Sequence, residues 1–254
     1  MEFDLRQIAV PFRMQPGLQR MAPGALHVTP LDPQGRLYAE KLRVCRAGMS
    51  QLSVPGFDPA PALAAIGSAD GLPELAFEED FAVIDTASAT IPWLCVCVPS
   101  HWAPEDKLGL SLAAIHAPVA DGAALAATLP ALTRLLAGGG HWERFVWTLT
   151  PSDCYDQHPL RRPRAPWPGT QQPGEFASGC FLRAERQTFL PVPGHPQVVF
   201  TIRVMLQPLV QAVQTPQQAR RLHDALASMT PAVLQYKNLG AARAPLLAWL
   251  AALC

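Results

Sequence analysis

Proline is the residue that most restricts this chain: 27 of its 254 residues are proline. They do not gather into one linker but punctuate the whole length. Each proline fixes its own φ, lacks an N–H donor and pushes the preceding residue away from helical geometry. The expectation is therefore short elements joined by stiff connections. Residues 53–73 are rich in proline, glycine and alanine. Residues 159–175 form a second proline-rich stretch, the best candidate for a long functional loop.

A core is available, because 49% of the residues are apolar and only 16% charged. Lysine plus arginine equals aspartate plus glutamate, at 20 each, so no net field draws nucleic acid or anionic membrane. The cluster Arg161-Arg162-Pro163-Arg164 reads as a solvated loop. Met1-Glu2-Phe3-Asp4 lacks a charged-then-apolar leader, and no apolar run approaches the length of a membrane span. Six cysteines occur without a C-x-x-C pair, and Cys95 and Cys97 share one strand face, where they cannot easily bridge each other. These features predict a cytoplasmic protein with reduced thiols.

The pattern predicts an α+β fold in one domain spanning 1–254. An irregular arm (about 1–50) ends in strands, with Arg36–Cys45 extended. Phe81–Ile84 and Leu94–Val98 read as short buried strands. Residues 121–137 read as a helix striped by Leu125, Leu129, Leu132 and Leu136, with Pro130 kinking or restarting it and a glycine triplet ending it. Three strand signals follow, at 142–150, 179–190 and 197–206, the last two joined by a hairpin-like connection at 191–196. Two helices close the chain across 215–253. Thr215-Pro216-Gln217-Gln218 carries a capping box, and Ala219, Leu222, Leu226, Met229 and Val233 form an apolar stripe.

Most catalytic signatures are missing. No G-x-S-x-G elbow, H-E-x-x-H pair or nucleotide glycine motif is present. Two constellations remain. His116 lies between an apolar run and Pro118, on a stiff segment beginning Pro99-Ser100-His101-Trp102. It is either a core histidine with both nitrogens bonded or an imidazole presented to a haem iron. In the strand at 179–190, Arg183, Glu185 and Gln187 alternate to one face and Arg186 and Thr188 to the other. Pairing with 197–206 lets Arg203 meet Glu185 or Gln187, as a structural ion pair or as the polar wall of a ligand pocket.

Four segments carry a resemblance: Pro11-Phe12-Arg13 with Met21; the run from Pro99 to Val119; Arg183–Thr188 with Phe200-Thr201-Ile202-Arg203; and Tyr236-Lys237-Asn238. In this order they resemble the haem-dependent oxidative N-demethylase family. The resemblance implies a PAS-like antiparallel sheet with flanking helices that holds haem b. It implies oxygen-dependent removal of a methyl group from a small secondary amine, releasing formaldehyde. Electrons would come from NADPH through a separate flavin and iron–sulfur reductase, because no reductase motif is present here. His116 matches the axial ligand. Trp102 is expected as an apolar wall and Lys107 beside a haem propionate. Glu185 is expected to bind the amine, with Arg186 and Arg203 stabilising charge or anchoring propionates. Valine at 146 departs from the family's usual asparagine before Trp147. A second reading keeps the haem but not the turnover, as a sensor or carrier on the same scaffold.

Overall fold

The computed structural model describes residues 3–14, 17–68, 72–120, 122–170 and 172–254, with the side chains of 122–126 outside the description. In chain order its elements are β1 (Gln19–Arg20), α1 (Arg36–Arg46), β2 (Gln51–Ser53), α2 (Ala60–Ala65), α3 (Pro73–Ala76), β3 (Asp80–Asp85), β4 (Thr90–Cys95), α4 (Leu112–His116), α5 (Gly122–Ala137) and β5 (Trp142–Thr150). There follow α6 (Pro173–Ser178), β6 (Phe181–Pro191), β7 (Gln197–Pro208), α7 (Leu209–Ala212), α8 (Pro216–Ala227), α9 (Pro231–Tyr236) and α10 (Gly240–Ala251). The described strands form one antiparallel sheet in the order β1-β5-β6-β7-β3-β4-β2. The architecture is α+β.

The long hairpin β6–β7 is the centre of this sheet. Its turn places Gly194 at φ +74°, a left-handed conformation that costs glycine little, and Val192 N–H closes it on Gln197 O at 2.9 Å. The register then sets the faces, because directly paired residues share a side. Arg144 lies opposite Gln187, Val146 opposite Glu185, Glu185 opposite Val204, and Phe189 opposite Phe200. That face carries the polar residues 183, 185 and 187. The other carries Ala184, Arg186, Thr188, Thr201, Arg203, Trp147 and Leu149.

Helices cover the sheet on both sides. On the second face Trp147, Leu149, Leu182 and Ala184 join Ala219, Leu222, Leu226, Met229, Val233, Leu246 and Leu250 in one buried cluster. The capping box at α8 is formed: Gln218 N–H donates to Thr215 Oγ1 at 3.3 Å, and Thr215 N–H to Gln218 Oε1 at 3.0 Å. Three helices, not two, close the chain, since Pro231 starts α9 after α8 has ended. On the first face Leu112, Leu129 and Leu136 pack with Leu94, Phe189 and Val198. Leu125 lies outside the described side chains. α5 runs through Pro130 without a break.

One element differs in kind. Arg36–Arg46 is helix, not strand. Leu37, Lys41 and Val44 are buried at i, i+4 and i+7, and the middle position is a lysine. Lys41 Nζ is fully buried, pairing with Asp80 Oδ1 at 3.1 Å and donating to Glu79 O at 2.7 Å and Phe77 O at 3.1 Å. A stripe with a charge at its centre does not read as an apolar face until its partner, Asp80, is in place.

Candidate functional site

The segment after β4 is pinned at both ends. Val96 N–H donates to Ser50 O at 2.8 Å, and Val98 N–H to Asp80 Oδ2 at 2.7 Å. Gln157 bridges Pro99 O and His101 N–H at 3.1 and 3.2 Å. His101 itself has φ +60°, a left-handed conformation that costs a non-glycine residue on the order of 1–2 kcal/mol. Further on, Gly109 N–H donates to Ile91 O at 2.8 Å, and Leu112 N–H to Ala89 O at 2.8 Å. Ser111 Oγ then caps α4 by accepting from Ala114 N–H at 3.2 Å.

His116 ends this helix. Its Nδ1 lies 2.7 Å from Leu112 O. A carbonyl only accepts, so Nδ1 carries the proton and Nε2 keeps its lone pair. Burial pulls the imidazole below its ordinary range; the Leu112 hydrogen bond opposes this, and the charges of Arg144 and Lys107 add to the depression. The ring is thus neutral at pH 7, the form that ligates metal. Trp102 and Ile115 pack against the cluster that contains Leu112.

A chain of polar groups runs along the same sheet face. Arg183 is 1% exposed. Its Nη2 donates to Val98 O at 2.9 Å, its Nη1 to Tyr155 O at 2.9 Å and Cys154 O at 3.3 Å, and its Nε to Ser100 Oγ at 2.7 Å. Ser100 in turn donates to Glu185 Oε1 in a short hydrogen bond. Gln187 Nε2 donates to Glu185 Oε2 at 2.8 Å, and Arg144 Nε donates to Gln187 Oε1 at 2.7 Å. From Arg183 to Arg144 every link is a hydrogen bond, and Arg144 reaches the field of His116. Burial lowers Arg144 to about 10, while the Glu185 charge opposes the shift. Lys237 Nζ donates to Trp147 O at 2.9 Å and lies 5.5 Å from the Phe12 ring centre. Burial lowers it to about 8, again against Glu185.

Arg186 and Arg203 do not join this chain. They are directly opposite each other on the far face, so Arg203 meets neither Glu185 nor Gln187. The alternation of a strand puts Arg186 on the opposite side from Glu185, and the hairpin turn brings Arg203 to that same side. Each is tied to its own carboxylate: Arg186 Nε to Glu143 Oε2 at 2.8 Å and Arg203 Nε to Glu78 Oε2 at 2.5 Å. Arg161 is likewise not a free loop charge but is bound to buried Asp156 at 3.0 Å. Lys107 acts on His116 through its charge. Ser100, Arg144 and Lys237 received no role from spacing alone, although the alternation of 183, 185 and 187 had marked one polar face. An open groove of about 470 Å³ lies elsewhere, where β7 runs on past β3, lined by Leu31, Leu37, Tyr155, Phe181, Val204 and Leu206.

Among the described residues no three His, Cys, Asp or Glu side chains converge as a metal nest. A lone neutral histidine with an oriented ring suits a metal that arrives with its other donors, as iron does in a porphyrin. Residues 72–247, more than half of the chain, match the family model described as haem-dependent oxidative N-demethylase, alpha subunit-like. The chain belongs to this family. The matched span of this N-demethylase-like chain holds His116, Ser100, Arg144, Arg183, Glu185, Gln187 and Lys237, and leaves out α1. No described helix is long and apolar enough to cross a membrane.

The site also predicts an acid limit. Burial, then the charges of Arg164 and Arg183, lower His101 to about 4. Burial, then His141 and Arg186, lower His27 to about 4 against Glu143. Both folded values lie below the unfolded 6.5, so unfolded chains bind more protons between the two. The stability that these two histidines contribute is full above pH 6.5 and is lost as the pH drops towards 4. Each histidine contributes a slope of at most about 1.4 kcal/mol per pH unit. Urea midpoints measured across this window should fall with acid, and His101→Asn should flatten the dependence. An unchanged slope in that variant removes His101 from the effect.

Proposed function

We propose that this chain is the oxygenase component of a small-amine N-demethylase, in which a PAS-like sheet would bind haem b and His116 would hold its iron through Nε2. The observation that carries the proposal is the His116 Nδ1 contact to Leu112 O, which frees Nε2. Haem supplies the activation of dioxygen. The overall change balances as R–NH–CH3 plus O2, two electrons and two protons, giving R–NH2, formaldehyde and water. The electrons come from NADPH by way of a separate flavin and iron–sulfur reductase.

Glu185 has the chemistry for the amine. A secondary amine is a cation at neutral pH, and a carboxylate offers about four acceptor positions, of which Ser100 and Gln187 occupy two. Glu185 binds the ammonium and takes its proton, leaving the neutral amine that oxidation requires. Gln187 and Ser100 hold the carboxylate in place. Trp102 would supply apolar wall, Lys107 would hold a propionate, and Arg144 would take the charge-stabilising role expected from the sequence of Arg186 and Arg203. Those two arginines support the sheet from beneath.

Purified protein is assayed for formaldehyde with NADPH, a ferredoxin-type reductase and dimethylamine. Amine-dependent formaldehyde is the expected result; bound haem without it supports the sensor or carrier reading. Glu185→Gln keeps shape and removes charge. It should leave haem content and stability near the parent while lowering kcat/KM at least about tenfold, or about 1.4 kcal/mol. Parent-like turnover would take Glu185 out of the mechanism.

A further inference from the structure

β7 is longer than the strand that pairs with its outer side. β3 covers it only over residues 197–202, ending with Asp80 opposite Ile202. The chain before β3 turns away, where Glu78 N–H donates to Thr29 O at 2.9 Å. β6 follows β7 as far as Pro208, so residues 203–208 are paired on one side only. The backbone phase of this stretch follows from the ends of the strand. Val192 N–H donates to Gln197 O at 2.9 Å and Leu209 N–H to Cys180 O at 2.9 Å, so odd-numbered residues turn their N–H and C=O towards β6. Thr86 N–H donates to Pro196 O at 2.8 Å, so even-numbered residues turn theirs towards β3. Past Ile202 the even-numbered residues are Val204, Leu206 and Pro208. Neither Val204 nor Leu206 has a backbone hydrogen-bond partner on that side among the described residues. Pro208 has no N–H and closes the stretch. The edge therefore offers the N–H and C=O of Val204 and of Leu206 in strand phase.

Both faces of the sheet are hollow at this edge. On the face that carries Glu185, the groove of about 470 Å³ is lined by Leu31, Leu37, Tyr155, Phe181 and Leu206. On the opposite face a groove of about 340 Å³ is lined by Phe3, Met205, Gln207 and Gln211. Val204, Leu206 and Pro208 border both. A strand laid against β7 would send alternate side chains into the two grooves. The first suits aliphatic side chains, and the second suits polar ones that reach Gln207 and Gln211. The charged residues around the grooves are matched within the chain except one. Arg203 holds Glu78 at 2.5 Å, and Arg36 holds Asp153 at 3.3 Å. The carboxylate of exposed Asp32 accepts Gln34 N–H at 2.9 Å and has no cation partner among the described residues.

We propose that the outer edge of β7 at Val204 and Leu206 is the docking site for an extended segment of a partner protein, which joins the sheet as a strand beside β7. The segment alternates aliphatic side chains, on the side of α1, with small polar ones, and carries a lysine or arginine that meets Asp32. Main-chain hydrogen bonds to Val204 and Leu206 supply the affinity, and the two grooves fix the register. About five residues span the open length, at the rise of an ordinary strand.

The probe is a fluorescein-labelled peptide in which threonine alternates with valine and one lysine, titrated into the full-length protein by fluorescence anisotropy. Saturable binding is expected, and no saturation at about 1 mM peptide overturns the proposal. In NMR exchange measurements the Val204 and Leu206 amides should exchange at least about tenfold more slowly once the peptide is bound. N-methylation of the peptide at residues whose N–H groups face β7 should weaken binding at least about tenfold, and N-methylation of the intervening residues should not. Binding indifferent to the position of the methyl groups means that the grooves hold the peptide without strand pairing, and refutes the proposal. Leu206→Pro deletes one edge donor without removing a bond to β6, and should weaken binding as methylation does. Should that variant not fold, the methylated peptides still decide. Asp32→Asn should weaken the lysine peptide but not its glutamine counterpart; equal affinities in both remove the cation from the proposal. A concentration-dependent dimer that protects the same two amides would make a second copy of this chain the occupant, and refutes the partner segment.

Discussion

His116→Ala is expected to strip the purified protein of most of its haem, or to leave a weakly held form with an altered Soret band. The reasoning is local. α4 has only one complete turn of side chains to hold its last residue, and Leu112 O fixes the imidazole within that turn. Removing the ring removes the nitrogen donor that α4 presents in a neutral, oriented state. The surrounding groups, Trp102, Leu112 and Ile115, offer apolar contact but no ligand. Exogenous imidazole added to the variant should recover part of the parent spectrum, because the missing piece is one coordinating nitrogen. Parent-like haem content in His116→Ala would return this residue to the role of a core histidine.

Arg183→Met should destabilise the fold by about 3–5 kcal/mol, the range for breaking a buried charged network by removing one partner. The side chain is buried and its guanidinium bonds four groups from two segments. Methionine fills much of the volume but donates nothing. Val98 O, Tyr155 O and Cys154 O lose their donor inside the protein, and Ser100 loses the contact that orients it towards Glu185. Chemical denaturation measures the loss. A change under about 1 kcal/mol would mean that water replaces the guanidinium at little cost.

How much of this was legible beforehand depended on where each partner sits in the chain. The capping box at Thr215 and the stripe through Ala219, Leu222 and Leu226 involve neighbours within one or two turns, and both are as expected. The β6–β7 hairpin is also local, and so is the alternation that puts Glu185 and Gln187 on one face. Lys41 fails as a sequence signal because Asp80 lies on another element. Arg183 hides for the same reason: its acceptors come from residues 98 and 154–155. The pairing of Arg203 was misjudged because neighbouring strands allow two faces, and only the register of the turn selects one. His116 stood out as a histidine between an apolar run and Pro118, but the tautomer that leaves Nε2 its lone pair required the Leu112 carbonyl in three dimensions.

The central hairpin has a consequence for how this chain can change its length. Glu185 and Arg186 are adjacent, face opposite sides, and are each matched to a partner set of opposite character. Substitutions along β6 alter one side at a time. A register shift of the strand by one inserted or deleted residue would instead turn the Arg186 guanidinium towards Ser100 and the Glu185 carboxylate towards Glu143. The same shift would reverse the sign of the charge beside Ser100 and set two carboxylates against each other on the far face. β6 is therefore a reading frame in the physical sense: a substitution changes one face, a change of length changes both.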